Sequence, residues 1–207
     1  MAYFPFFMDL TGADGLIAGG GTVALRKIEK LLPYGPRLTV AAPEISPEIR
    51  AIPGLTLLRR TLLEEDLAGR SFVIAATDKR AVNREIAALC RRRGILVNAV
   101  DDRKACTFLF PALVRRGEMS IGISTGGASP TAAVYFKQQI EGLLPERTEV
   151  LLDFLDGLRE RVKREIPEEW KRSQAFAALF QACMEARRPL TEAETAEVIG
   201  RKVEKRQ

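Results

Sequence analysis

The chain of 207 residues carries 32 Lys and Arg against 27 Asp and Glu, a net charge of +5, with 46% hydrophobic and 29% charged residues. That length can bury a sizeable core, the balance is that of a soluble globular protein rather than a disordered chain, and no apolar run is long enough to span a bilayer. Histidine is absent, which excludes His-based triads, His zinc sites and imidazole acid–base chemistry and leaves a carboxylate, Lys, Tyr or Cys as any general base.

Met1 to Met8 are apolar but lack a basic leader and run straight into Asp9, so no secretory signal is expected. Gly15 to Ala18 then form a short apolar run that feeds Gly19-Gly20-Gly21-Thr22-Val23-Ala24, and the apolar positions of Leu25 to Leu32 recur at helical spacing. This is strand, tight turn and helix, and from Gly19 the turn fits G-x-G-x-x-A, the alanine-ended dinucleotide fingerprint. There Gly19 permits the turn, Gly21 admits a pyrophosphate to the backbone, and Ala24 keeps the helix close to the strand. Gly19, Gly20, Gly21, Thr22 and Val23 are the first cofactor candidates. Tyr34-Gly35-Pro36 stops the helix, and Arg37 to Pro43 read as a second strand that completes a βαβ unit. At its tip Pro43 and Glu44 are the next candidates. Glu44 is the one acidic residue placed to hold an adenosine ribose, and no Arg or Lys at the tip offers to receive a 2′-phosphate, which favours NAD over NADP.

Leu55 to Arg59 suit a third strand, Leu62 to Leu67 a helical turn ended by Gly69, and Ser71 to Asp78 a buried parallel strand whose end turns polar at Thr77 and Asp78. A helix from Lys79 to Arg93 follows, with Val82, Ile86, Ala87 and Leu89 as its apolar stripe. Ile95 to Val100 form the next strand, bearing Asn98 and leading into Asp101-Asp102. Strands alternating with helices imply a doubly wound parallel sheet, and its carboxyl edge is where ligands bind. The pattern then changes. Phe108 to Arg115 and Met119 to Ser124 flank Arg116-Gly117-Glu118 as a hairpin, and a second glycine loop, Ser124-Thr125-Gly126-Gly127-Ala128-Ser129-Pro130, opens a helix to Leu144 with Ser129 as its N-cap and Pro130 at its first position. Such a loop can receive an anion or can simply turn and cap. From Glu146 on only helices are expected: 149–165, 167–186 around Trp170, Phe176, Leu179 and Phe180, and 191–203, where Thr191 and Glu194 make a capping box.

Cys90, Cys106 and Cys183 form no C-x-x-C pair, so neither a disulfide framework nor a metal site is expected and a reducing cytoplasm fits best. The runs Arg91-Arg92-Arg93 and Arg115-Arg116 suit solvated helix ends and turns. An aromatic content of 7% gives no stacking platform for nucleic acid.

Taken together, the motifs at Gly19 to Lys27, Ala75 to Asn83, Asn98 to Pro111 and Ser124 to Pro130 occur in an order that resembles the N-terminal part of siroheme synthase and its stand-alone relatives, the precorrin-2 dehydrogenases. The likeness runs from about Phe4 to about Arg164. It implies an α/β fold with a Rossmann-type NAD-binding domain (residues 1–112), a small α+β dimerisation region (113–146) and a helical C-terminal domain (147–207). It further implies a cytoplasmic homodimer that oxidises precorrin-2 to sirohydrochlorin with NAD. Several members also insert ferrous iron, and no counterpart of the fused methyltransferase domain is seen, which suggests a stand-alone enzyme. Asp101 matches the family's catalytic aspartate, a general base; without that likeness it would read as a turn residue after the strand. Thr77, Asp78 and Asn98 stand as further cofactor candidates, and Ser124, Thr125 and Gly126 as contacts for the carboxylate-bearing tetrapyrrole. Thr125 occupies a position where some siroheme synthases have a modifiable serine. A non-catalytic dinucleotide-sensing module would explain the first half equally well, but not the stretch from Asn98 to Pro111.

Overall fold

The computed structural model describes residues 3–203, which divide into two compact units that meet between Phe110 and Pro111. In the first, β1 (Asp14–Ala18), β2 (Arg37–Ala41), β3 (Thr56–Leu58), β4 (Phe72–Ala75) and β5 (Leu96–Ala99) make a parallel sheet in the order β3-β2-β1-β4-β5. Every parallel return needs a crossover, supplied by α1 (Thr22–Leu31) and α3 (Arg80–Arg92) among others, with α2 (Pro47–Arg50) as a short turn of helix that the sequence pattern did not announce.

Because successive side chains alternate across a strand, the two sheet faces are built from interleaved residues. Leu16, Ala18, Val73, Ala75, Val97 and Ala99 pack with Ile86, Ala87 and Cys90 of α3 and with Leu67. Ile17, Leu38, Val40, Phe72 and Ile74 pack with Ala24, Ile28 and Leu31 of α1 and with Ile49. Both faces are covered, so the central strands read as continuous apolar runs. In register, Ala41, Ala18, Ala75 and Ala99 stand side by side at the carboxyl ends of β2, β1, β4 and β5. All four strands stop at one level.

Past β5 the chain makes a 3₁₀ turn over Arg103–Ala105 and then doubles back along the open strand. The Thr107 N–H donates to the Val97 carbonyl at 2.8 Å, and the Val97 N–H to the Thr107 hydroxyl at 2.7 Å. The edge of the sheet is thereby paired rather than exposed. Phe108 and Phe110, expected to begin a hairpin strand, instead pack onto the face covered by α1, their rings 5.6 Å apart. The strand begins only after Pro111, whose ring cannot donate to a ladder.

The second unit opens with that hairpin, β6 (Ala112–Arg116) and β7 (Met119–Ile123), turned by Gly117 at φ +56°. Next come α4 (Pro130–Leu143), α5 (Thr148–Gly157), α6 (Arg159–Glu165), α7 (Glu169–Ala186) and α8 (Glu192–Val203). The single helix expected over 149–165 is two, because the Leu158 N–H bonds to Leu155, a tighter turn that closes α5 after Gly157. In α7 the buried stripe is Lys171, Ala175, Leu179 and Cys183 at spacings of four, while Trp170 and Phe180 face solvent. Leu179 and Phe176 pack as expected, whereas Trp170 and Phe180 do not, and the buried stripe also takes in the small Ala175 and Cys183. The expected caps are both formed: the Ser129 hydroxyl accepts from the Ala132 N–H at 3.1 Å, and Thr191 and Glu194 cap each other reciprocally. No helix among the described residues is long and apolar enough to cross a membrane.

One ion pair ties β3 to the turn before β4. Asp66 accepts from both Arg60 guanidinium nitrogens at 2.7 Å and from the Leu63 N–H at 2.8 Å. Arg60 above all, opposed by burial, holds the Asp66 carboxyl below its ordinary 3.8, at about 2. A depressed folded-state pKa contributes stability above the ordinary value and loses it as pH falls toward the folded one. Asp66→Asn should therefore lower the urea midpoint at pH 7, and the gap to the wild type should close as the pH is taken from 3.8 to about 2.

Candidate functional site

All cofactor candidates of the first unit except Asn98 leave the sheet at its carboxyl edge. Gly19 to Val23 follow β1, Pro43 and Glu44 follow β2, Thr77 and Asp78 follow β4, and Asp101 follows β5. Between β1 and β4 the chain order reverses, which makes this the crevice where open α/β sheets receive ligands.

The three glycines have three different jobs. Gly19 has φ +124°, and a Cβ there would stand 2.2 Å from the Ala76 carbonyl oxygen, so only glycine lets the turn lie against the end of β4. Gly20 is held from the other side. A Cβ on it would meet the Glu44 carbonyl oxygen at 2.1 Å, and the Ser46 N–H donates to its carbonyl at 2.9 Å. Gly21, the N-cap of α1, has nothing within 4 Å of an added Cβ, and no side chain caps the helix. No acidic residue lies in the first turn either. Unpaired N–H groups at the positive end of a helix, with open space in front, fit the diphosphate of a dinucleotide. Thr22 and Val23 are exposed beside this opening, Ala24 is fully buried against the sheet, and Pro43 and Glu44 are exposed on the neighbouring loop.

Thr77 and Asn83 are locked together. The Asn83 Oδ1 accepts from the Thr77 N–H at 3.0 Å and from its hydroxyl at 2.7 Å, while Nδ2 donates to the Thr77 carbonyl at 3.0 Å. This clamp fixes the loop after β4 and leaves Asp78 exposed beyond it. Asn98 is buried, and its amide donates to the Phe108 carbonyl at 3.0 Å and toward Cys106 Sγ at 3.6 Å. It fastens the returning segment to β5. The order of the motifs carries this internal need as well as any ligand contact.

Asp101 is exposed and left-handed at φ +59°, third in a turn closed by the Asp102 N–H donating to the Ala99 carbonyl at 3.3 Å. That position usually goes to glycine or asparagine; for an L residue the left-handed region costs about 1–2 kcal/mol, least for Asn and Asp. Asp102, beside it, is buried and paired with Arg84 and, at 3.7 Å, with Arg80. The Arg84 guanidinium holds the Asp102 carboxyl below the usual range.

Lys27 closes the first motif, where the pattern of residues assigned it no role of its own. It sits half-buried on α1 with Nζ 3.9 Å over the Phe110 ring, and burial, followed by Lys30, pushes its ammonium below its ordinary value while Asp101 and Cys106 oppose the shift. Lysine three residues after the buried Ala24 and one before the buried Ile28 marks the border of the packed stripe, and that is the signal that could have found it.

Ser124, Thr125 and Gly126 lie in the second unit, in a turn that is closed on itself. The Thr125 hydroxyl donates to the Ser129 carbonyl at 3.0 Å and accepts from the Ser129 N–H at 3.2 Å, and the Ser124 hydroxyl accepts from the Gly126 N–H at 3.2 Å. The arginine run at the end of α3 is likewise engaged: Arg91 holds the carbonyls of Lys104, Ala105 and Cys106, and Arg93 holds Glu64. Burial raises the thiols of Cys106 and Cys183 above their ordinary value and takes Cys90 to about 11, so none is an activated nucleophile.

Sheet order, glycine turn and open helix end define a Rossmann-type dinucleotide-binding protein. Residues 6–112 match the model of an NAD(P)-binding family, and residues 116–143 match the model for the central part of sirohaem biosynthesis proteins. The chain is 40% identical to the siroheme synthase of Methylococcus capsulatus over 95% of its own length and 44% of that protein's. Against the siroheme synthase of Thioalkalivibrio sulfidiphilus it is 36% identical, over 87% and 38%. It spans less than half of these relatives. Among solved structures it superposes on SirC, a precorrin-2 dehydrogenase, with a TM-score of 0.74 and 28% identity over 97% of this chain and 98% of that one. The chain belongs to the NAD(P)-binding family whose model matches residues 6–112.

The three glycine environments make opposite demands at one position. Gly21→Asp places a good N-cap residue in extended backbone and open space, so the thermal midpoint should hold or rise, whereas NAD affinity should fall at least about tenfold through charge and bulk against the diphosphate. Calorimetric titration and a melting curve on one preparation check both; unchanged affinity would mean the fingerprint is misplaced.

Proposed function

We propose that this protein oxidises precorrin-2 to sirohydrochlorin with NAD, as its resemblance to a precorrin-2 dehydrogenase over nearly the full length of both chains suggests. The observation that carries the reading is the open N-terminus of α1 at Gly21, on the same carboxyl edge as the end of β5 two strands away, where Asp101 stands exposed. When bound, NAD supplies the hydride acceptor. The chain's own part is to hold it and to manage the proton. Gly21, Thr22 and Val23 hold the diphosphate, Glu44 takes the ribose, and Asp78 borders the remainder. Removal of two hydrogens from the tetrapyrrole releases one hydride and one proton, and the Asp101 carboxylate takes the proton. Ser124, Thr125 and Gly126 would meet the substrate's carboxylate arms. A net charge of +5 suits such a substrate.

A homodimer is part of the same reading. Val134, Tyr135 and Phe136 on α4 are each about half exposed, and the helix lies in the segment that matches the sirohaem central model. A second copy packing around this part of α4 would cover three adjacent exposed apolar residues. Tyr135→Glu with Phe136→Glu should convert a dimer to a monomer in sedimentation equilibrium.

Purified protein, NAD and anaerobically prepared precorrin-2 should give the absorbance of sirohydrochlorin, and a parallel sample with ferrous iron asks whether the protein also speeds metal insertion. Without NAD-dependent turnover, the proposed reaction fails. Asp101→Asn is the sharper variant than alanine, because asparagine tolerates the left-handed turn and removes only the basic carboxylate. It should lower kcat by roughly 10²-fold or more, the usual worth of a general base, with NAD affinity unchanged.

A further inference from the structure

We propose that Asp102 is the positioning residue for Asp101: its ion pairs to Arg84 and Arg80 on α3 pin the turn after β5 and hold Asp101 in the left-handed conformation at the sheet edge. This rests on Asp101 being the proton acceptor of the reaction proposed above.

The two adjacent aspartates are treated oppositely. Asp101 is exposed with φ +59°, whereas Asp102 is only 6% exposed and takes both arginines on one oxygen, Oδ2. The arginines are themselves well over half exposed, so the pairs contribute little to global stability and act where they are anchored. Other bonds converge on the same turn. The Asp102 N–H reaches the Ala99 carbonyl, and the Asp102 carbonyl accepts from the Ala105 N–H at 3.0 Å and lies 3.3 Å from the Cys106 thiol. Farther along α3, Arg91 grips the carbonyls of Lys104 and Cys106 at 2.9 and 3.2 Å. Arg80, Arg84 and Arg91, at steps of four and seven, share one side of the helix. That helix face therefore serves as a rack for the loop that begins at Asp101. A left-handed aspartate relaxes toward extended backbone unless its neighbours prevent it, and among the described residues the Asp102 ion pairs hold the turn from the side-chain side at its closing residue.

The test compares wild type, Asp102→Asn, the double variant Arg80→Gln with Arg84→Gln, and Arg84→Lys, each as the full chain with NAD and precorrin-2. Loss of the clamp should lower kcat about tenfold, the population effect of releasing a left-handed residue, while the KM for NAD stays within about twofold. Amide exchange at Asp102, whose N–H closes the turn, should quicken by a similar factor in Asp102→Asn and in the double variant, with global melting nearly unchanged. Arg84→Lys, which keeps the charge, should recover most of the rate. Wild-type kcat and exchange in Asp102→Asn would overturn the proposal, as would a loss shared equally by kcat, NAD affinity and melting. Should Asp102→Asn fail to fold, the double variant decides by the same readings. Absence of turnover in the wild type overturns the underlying reaction instead, and is distinguished from wild-type turnover with unaffected variants, which overturns the role of Asp102 alone.

Discussion

The carboxyl edge of the sheet depends on how closely the turn after β1 can lie against its neighbours on both sides. Gly19 touches the end of β4 through the Ala76 carbonyl, and Gly20 touches the loop after β2 through the Glu44 carbonyl. Backbone against backbone leaves no side chain to yield, so a methyl at either point forces the loops apart. With both contacts made, the third glycine is the one left facing open space, and α1 starts there with its N–H groups unpaired. An open, uncapped helix N-terminus is thus produced by two packing constraints and one vacancy of contact, with little contribution from polar side chains.

Charge is handled in the same economical way. Many arginines of the first unit are committed internally: Arg37 to Asp14, Arg60 to Asp66, Arg84 and Arg80 to Asp102, Arg91 to three carbonyls, Arg93 to Glu64. Arg91 and Arg93, expected at a solvated helix end, are instead bonded to the chain itself. Arg91 stiffens the segment between β5 and Pro111, which would otherwise leave an edge strand unpaired. What remains is a modest net positive charge rather than a basic stripe.

How much was legible in the sequence follows from which signals are local. The βαβ unit, the glycine turn and the caps at Ser129 and Thr191 depend on residues within a few positions of one another, and they stand where spacing and turn chemistry place them. Phe108 to Phe110 failed as a strand because their burial is tertiary: an apolar run beside a proline looks the same whether it pairs in a ladder or folds back onto a core. Trp170 and Phe180 failed because size was taken for burial, when α7 packs largely through Ala175, Leu179 and Cys183. Asn83 and Asn98 were visible as motif members, but nothing in the sequence tells whether an amide faces a ligand or a carbonyl. The pair Asp101-Asp102 shows the limit most directly. Two identical side chains take opposite fates because one sits at a left-handed turn position and the next meets α3.

The absence of histidine gives that divergence its chemical weight. The three thiols are buried and pushed away from ionisation, so they do not take a proton near neutral pH. Lys27 is held half-buried over an aromatic ring, away from any role as an open acceptor. The acceptor in the reaction proposed above is a carboxylate, and a carboxylate is a weak base. Such a base suffices when departure of a hydride has already made the neighbouring hydrogen acidic, provided that the oxygen is in place at that moment. Position then matters more than basicity. An exposed helix end made of bare backbone, and an aspartate turn whose next residue is paired with two arginines, are both devices that supply position.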